Sequence, residues 1–230
     1  MASTIDICNL ALFRIGQRGN LASIDPSESG SPLSEACANF FEIAKNDFLE
    51  AFPWSFAVRR AALSKLASAP IGYSAAYRLP SDCLRVIQLL YIQDESAGYL
   101  DRLCRRHAQR RLDLAEWDVE QVDGIPALLT DAAPDAVRYI STKVDVNKLT
   151  PLAADALSWL LASHLAGYIL QGDAGMQQAQ KCMQFYSATV DSAIKADQER
   201  QRKRPHYTTP FVEDYWNNYE GAGDERSLPR

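Results

Sequence analysis

The chain has 230 residues, 47% of them hydrophobic and 23% charged, with a net charge of −5 and a pI near 5.3. This is an ordinary composition for a folded protein, and a chain of this size buries roughly 70% of its unfolded surface, enough for one main core. The negative net charge excludes a molecule drawn as a whole onto nucleic acid or an anionic membrane.

The cysteines, Cys8, Cys37, Cys83, Cys104 and Cys182, are odd in number and form no C-x-x-C unit. Neither a zinc cluster nor a disulfide framework is expected from them. They read as small buried thiols made in a reducing compartment. The start, Met-Ala-Ser-Thr-Ile-Asp, lacks a basic stretch followed by an apolar run, so no signal peptide is expected.

Thr4 or Ser3 can cap a first helix, with Asp6 in its first turn. Ile5, Cys8, Leu12 and Ile15 fall on one stripe, and Gly16 ends it. The stretch from Gln17 to Gly30 is rich in Gly, Ser, Asp and Pro and reads as loop. Ser31-Pro32 then starts a second helix, a capping hydroxyl followed by proline at the first helical position. Pro53 stops it by removing a donor and restricting Phe52.

After Pro53 the period shortens. Trp54, Phe56 and Val58 alternate with Ser55, Ala57 and Arg59, which predicts a half-buried strand. Tyr73, Ala75, Tyr77 and Leu79 alternate again, and Leu84 to Ile92 is an apolar run. These predict a small, mostly antiparallel sheet. Short strands are further expected at Trp117–Val119, Ala127–Leu129 and Val137–Ile140, with a turn at Asp123-Gly124.

Thr150-Pro151 caps a third long helix. From Leu152 to Leu170 it is apolar on most sides and as long as a membrane span, yet it holds Asp155, Ser158, Ser163 and His164. A buried central helix, with no membrane, is the expectation. Gly172 and Asp173 stop it and cap another helix that runs to about Gln198 and folds back as an antiparallel hairpin.

Beyond it lies a basic knot, Arg200, Arg202, Lys203 and Arg204, followed by Tyr207, Phe211, Tyr215, Trp216 and Tyr219 among prolines, acids and amides. Aperiodic chain of this kind makes no core by itself. Its large aromatics fit an extended arm that anchors into pockets on another chain. The basic knot fits either an acidic docking surface or the cation-favouring end of the last helix.

A second basic cluster contains Arg102, Arg105, Arg106, His107, Arg110 and Arg111. It fits a phosphate-contacting surface that reads no sequence. It equally fits a solvated or interface face paired with Asp101, Asp113 and Glu116. His164 stands without a second ligand at helical spacing, so no metal or cofactor is expected. No G-x-S-x-G, Walker or G-x-G-x-x-G sequence occurs, so no enzyme is expected. The carboxylate pairs Asp47 and Glu50, or Glu116 and Asp118, leave a cell-wall hydrolase as the one enzymatic alternative.

Pro53-Trp54-Ser55-Phe56-Ala57, continuing to Arg59-Arg60-Ala61, resembles a segment of the tail tubular protein A family, the head-to-tail adaptors of short-tailed bacteriophages. Gly72-Tyr73, Ala76-Tyr77-Arg78-Leu79-Pro80 and Asp82-Cys83-Leu84-Arg85-Val86 resemble its next block. The opening Ile5-Asp6-Ile7-Cys8-Asn9-Leu10-Ala11-Leu12 with Ile15-Gly16, and the terminal helix pair, are also similar. The resemblance runs over residues 4–198 and rests on packing residues. It implies a structural virion protein made in the host cytoplasm and placed at the head–tail junction. There, about twelve copies would form a ring of heterologous contacts. The ring would sit between the portal ring and a tail nozzle similar to tail tubular protein B, and DNA would pass through its channel. A DNA-contacting assembly factor is the alternative.

The resulting expectation is an α+β fold, mainly α. Residues 4–52 and 150–198 form a helical bundle, 53–149 a β-rich insert, and 199–230 an extended C-terminal arm.

Overall fold

The computed structural model describes residues 3–18, 21–25, 31–91, 112–113 and 115–200. The fold is α+β and mainly α, with two small antiparallel sheets. Helix α1 spans Thr4–Arg14 and α2 Pro32–Ala51. Strands β1 (Val58–Ala62), β2 (Ser64–Lys65), β3 (Ala75–Arg78) and β4 (Cys83–Leu90) follow, then β5 (Trp117–Val122), β6 (Ile125–Thr130) and β7 (Ala136–Ser141). Helices α3 (Pro151–Leu170) and α4 (Gly172–Arg200) complete the described chain.

The helix starts obey local chemistry. Ser3 and Asp6 form a reciprocal capping box, in which the Asp6 N–H donates to Ser3 Oγ (3.2 Å) and the Ser3 N–H to Asp6 Oδ2 (2.9 Å). Ser31 and Thr150 cap α2 and α3, each with proline just inside the helix. Gln171 and Gly172 both take left-handed backbone, at φ +50° and +59°, and turn the chain from α3 into α4. Gly175 lets α4 lie close to α3, because a Cβ there would stand 3.0 Å from the Ala166 carbonyl oxygen.

Helix α3 packs against both α1 and α2. It is apolar and long enough to cross a membrane by length and composition, and 56% of its most apolar stretch is buried inside this fold. Ile7, Leu12, Phe41, Phe48, Leu157, Leu161 and Leu165 fill the shared core, with Cys182 and Ala193 joining from α4. Cys8, Cys37 and Cys182 are buried, and burial beside Asp82 pushes the half-buried Cys83 thiol up to about 11. Cys104 lies outside the described residues.

The expected strand at Trp54–Val58 is a correction. Residues 55–57 form a turn, held by the Ala57 and Val58 N–H groups on the Trp54 carbonyl (2.9 and 3.0 Å), and β1 begins only at Val58. The reason is a partner far along the chain. Asp197, on α4, accepts the Ser55 N–H (2.9 Å) and the Ser55 hydroxyl (2.5 Å), which fixes the turn. Trp54 is fully buried, stacks on Phe48 and Phe56, and donates its indole N–H to the Phe48 carbonyl at 2.8 Å.

The strands form two sheets rather than one, in the orders β1-β7-β4 and β2-β3-β6-β5. The expected alternation from Tyr73 to Leu79 is also corrected. The strand there is Ala75–Arg78, and its first three residues are buried on both faces. One face packs Tyr77 with Leu128, Val86, Leu89 and Tyr139 between the sheets, while the other packs Ala76 with Ala127 and Leu129 under Leu66 and Tyr73. The β5–β6 hairpin turns at Asp123-Gly124, both at positive φ (+53° and +76°), as a two-residue hairpin turn requires.

Candidate functional site

Of the residues singled out for the arm, Arg200 is the exposed last residue of α4. Arg202, Lys203, Arg204, Tyr207, Phe211, Tyr215, Trp216 and Tyr219 lie outside the described residues, and so do Arg105, Arg106, Arg110 and Arg111.

His164 faces Asp47 with Nε2 at 3.8 Å from the carboxylate, and its ring lies parallel to Phe40, 6.3 Å between centroids. Among the described residues, no group of three or more His, Cys, Asp or Glu side chains is placed to hold a metal ion. The carboxylate pairs separate in role. Asp47 stands beside His164, and Asp118 accepts a hydrogen bond from the Tyr73 hydroxyl. That acceptor, with Glu116 and Glu120 nearby, pushes Tyr73 up to about 12.

Two polar knots bind the helices into a frame. At the first, Arg14 at the end of α1 donates to the Asp155 carbonyl (2.9 Å) and the Ser158 hydroxyl (2.5 Å), and pairs with the Asp155 carboxylate. Its guanidinium lies 3.8 Å over the Trp159 ring, which in turn stacks on Phe185 of α4. Gln178 of α4 closes the knot by donating to the Arg14 carbonyl at 3.0 Å. Burial pulls Arg14 below its ordinary pKa and Asp155 opposes that pull, so the charge is held by its partner. The second knot is Asp197 with Ser55, described above, which pins the distal end of α4 to the junction between α2 and β1. Spacing along the sequence does not reveal either knot, because the partners lie 141 and 142 residues apart.

The middle of α4 has a different character. From Ala174 to Val190, Lys181 is the one charged residue. Met176 and Met183, 64% and 50% exposed, share one flank of the helix, while Phe185, 54% exposed and stacked on Trp159, lies on the opposite flank.

No protein-family model and no curated protein matches the chain.

Proposed function

We propose that the chain is a structural virion protein, one subunit of the ring that joins the portal of a short-tailed phage to its tail and continues the DNA channel. The observation that carries this reading is the sparsely charged middle of α4. It is a long helix, held near both ends by partly buried polar ties, whose middle carries one charge and exposes Met176 and Met183 on one flank. A rigid helix with so little charge on its solvent side suits a subunit that completes its packing in an assembly. The segments that resemble the adaptor family agree with this use. Pro53–Ala57 forms the joint between helices and sheets, with Trp54 as its buried centre.

In this reading the partners are the portal ring, the tail nozzle and neighbouring copies of the chain, at the head–tail junction. The protein works mechanically and performs no reaction. The test is the mass of the purified chain by light scattering, alone and after mixing with the portal ring of the same phage. Recruitment of many copies onto each portal is the expected result. A portal that takes up no chain at micromolar concentration removes the adaptor reading.

A further inference from the structure

The three-stranded sheet contains an arrangement that the described residues do not satisfy. Arg60 of β1 pairs directly with Arg138 of the central strand β7, and Gln88 of β4 stands on the other side of Arg138. Directly opposed residues of an antiparallel pair share one face, and like charges there are destabilising. Arg85, also exposed, pairs with Ile140 two residues along β7. Among the described residues, no carboxylate pairs with Arg60, Arg85 or Arg138; the ion pairs are made by Arg14, Lys45 and Arg59. Arg138 Nε is moreover buried with no hydrogen-bond partner. A buried donor without an acceptor costs its full desolvation, so an anionic group arriving from outside relieves both penalties.

The complementary surface is on the same chain. Strand β5 is the edge of the four-stranded sheet, so among the described residues one side of its backbone has no neighbouring strand. Asp118, Val119, Glu120 and Gln121 are exposed in succession, with Glu116 just before the strand and Asp123 at the hairpin turn. Val119 is 49% exposed. An open, protruding edge with an exposed β-branched residue is a liability that folded proteins normally cover.

We propose that the arginine face, Arg60 and Arg138 flanked by Arg85, is the docking site for the acidic β5–β6 hairpin of a second copy of this chain. Two different patches of opposite charge make a heterologous contact, the kind that closes into a ring when the rotation between copies allows it. The inference rests on the ring reading and names its subunit contact. Charge pairs of this type fix register and partner orientation, and screening weakens them.

The test is sedimentation velocity on the full chain, without the portal, over a concentration series reaching the millimolar range at low and high salt. The wild-type chain is expected to self-associate at low salt and to dissociate as salt rises. R60E/R138E and E116K/E120K should each weaken association at least about tenfold. An equimolar mixture of the two variants should regain it, because each then offers the other a complementary patch. Misfolding cannot produce that rescue.

A wild-type chain that stays monomeric throughout, or a mixture without rescue, overturns the contact. If the mixture fails while portals still recruit many copies, the contact is wrong and the adaptor reading stands. If rescue occurs but portals recruit nothing, the contact stands and the adaptor reading falls. If labelled duplex DNA binds the wild-type chain but not R60E/R138E while every chain remains monomeric, the face is a phosphate-binding surface and docking of a second copy is refuted.

Discussion

The helical frame and the β region place their charged groups differently. In the frame, Arg14 is met by several partners from distant chain, and Asp197 accepts both donors of Ser55, beside one continuous apolar core. In the β region the apolar core is split into two smaller clusters, and Arg60 and Arg138 oppose each other with no carboxylate paired to either among the described residues. Both regions keep a buried orphan, Asn46 Oδ1 and His164 Nε2 in the frame and Arg138 Nε in the sheet, so the difference lies in the opposed like charges and the strand edge. Changes in the frame should therefore reduce stability, and changes on the β surface should reduce association with little loss of stability.

The largest effect should come from Trp54→Ala. It removes a fully buried indole stacked on Phe48 and Phe56, at the joint of the two regions. The expected loss is about 3 to 5 kcal/mol, seen as a lower midpoint in urea unfolding. Urea unfolding of R60E/R138E, by contrast, should show a midpoint close to that of the wild type, since one opposed like-charge pair replaces another. A fall comparable to that of the tryptophan variant would erase the proposed division between frame and surface.

Asp197→Ala comes next. It leaves the Ser55 N–H and hydroxyl without their acceptor at the turn before β1, at about 1 to 3 kcal/mol by the same unfolding measurement. Hydrogen exchange should quicken most at residues 54–58 and at the end of α4. Uniform quickening across both regions would mean that the tie is not local.

Gly124→Ala should act on the β region alone. Gly124 sits at φ +76° in the hairpin turn, where an alanine strains the backbone by about 1 kcal/mol. Protection should fall in β5 and β6 and stay constant in the helices.

The contrast between regions also explains what could be read from the sequence. Caps at Ser3, Ser31 and Thr150, the stop at Pro53 and the Asp123-Gly124 turn act within a few residues, so each was visible as a local pattern. The turn at Trp54–Ala57 looked like a strand because its determinant, Asp197, lies far along the chain. Strand order was equally hidden: β1 pairs with β7, and only that register brings Arg60 against Arg138. Contiguous runs of charge are legible along the chain, whereas Arg60 and Arg138 are neighbours in space alone. Of the expected site residues, Arg200 alone falls among the described ones, exposed at the end of α4.

The smallest expected effect probes a charge that the β region satisfies from several sides. Asp82 accepts the Ser141 hydroxyl at 2.6 Å and the Tyr139 hydroxyl at 3.2 Å, with Arg59 at 3.7 Å. The Ser141 hydrogen bond leads these in holding its carboxyl below the usual carboxylate range, while partial burial opposes them. A carboxyl whose folded pKa is depressed adds stability that is fully present above the unfolded value, about 3.9, and is lost as pH falls through the folded one. Asp82→Asn should therefore melt below the wild type at neutral pH, and the gap between their melting temperatures should narrow as pH drops below about 4. A gap constant down to that range would mean that the carboxylate charge contributes nothing. Ser141 and Tyr139 would then be held by shape, and the Asp82 knot would owe nothing to its charge.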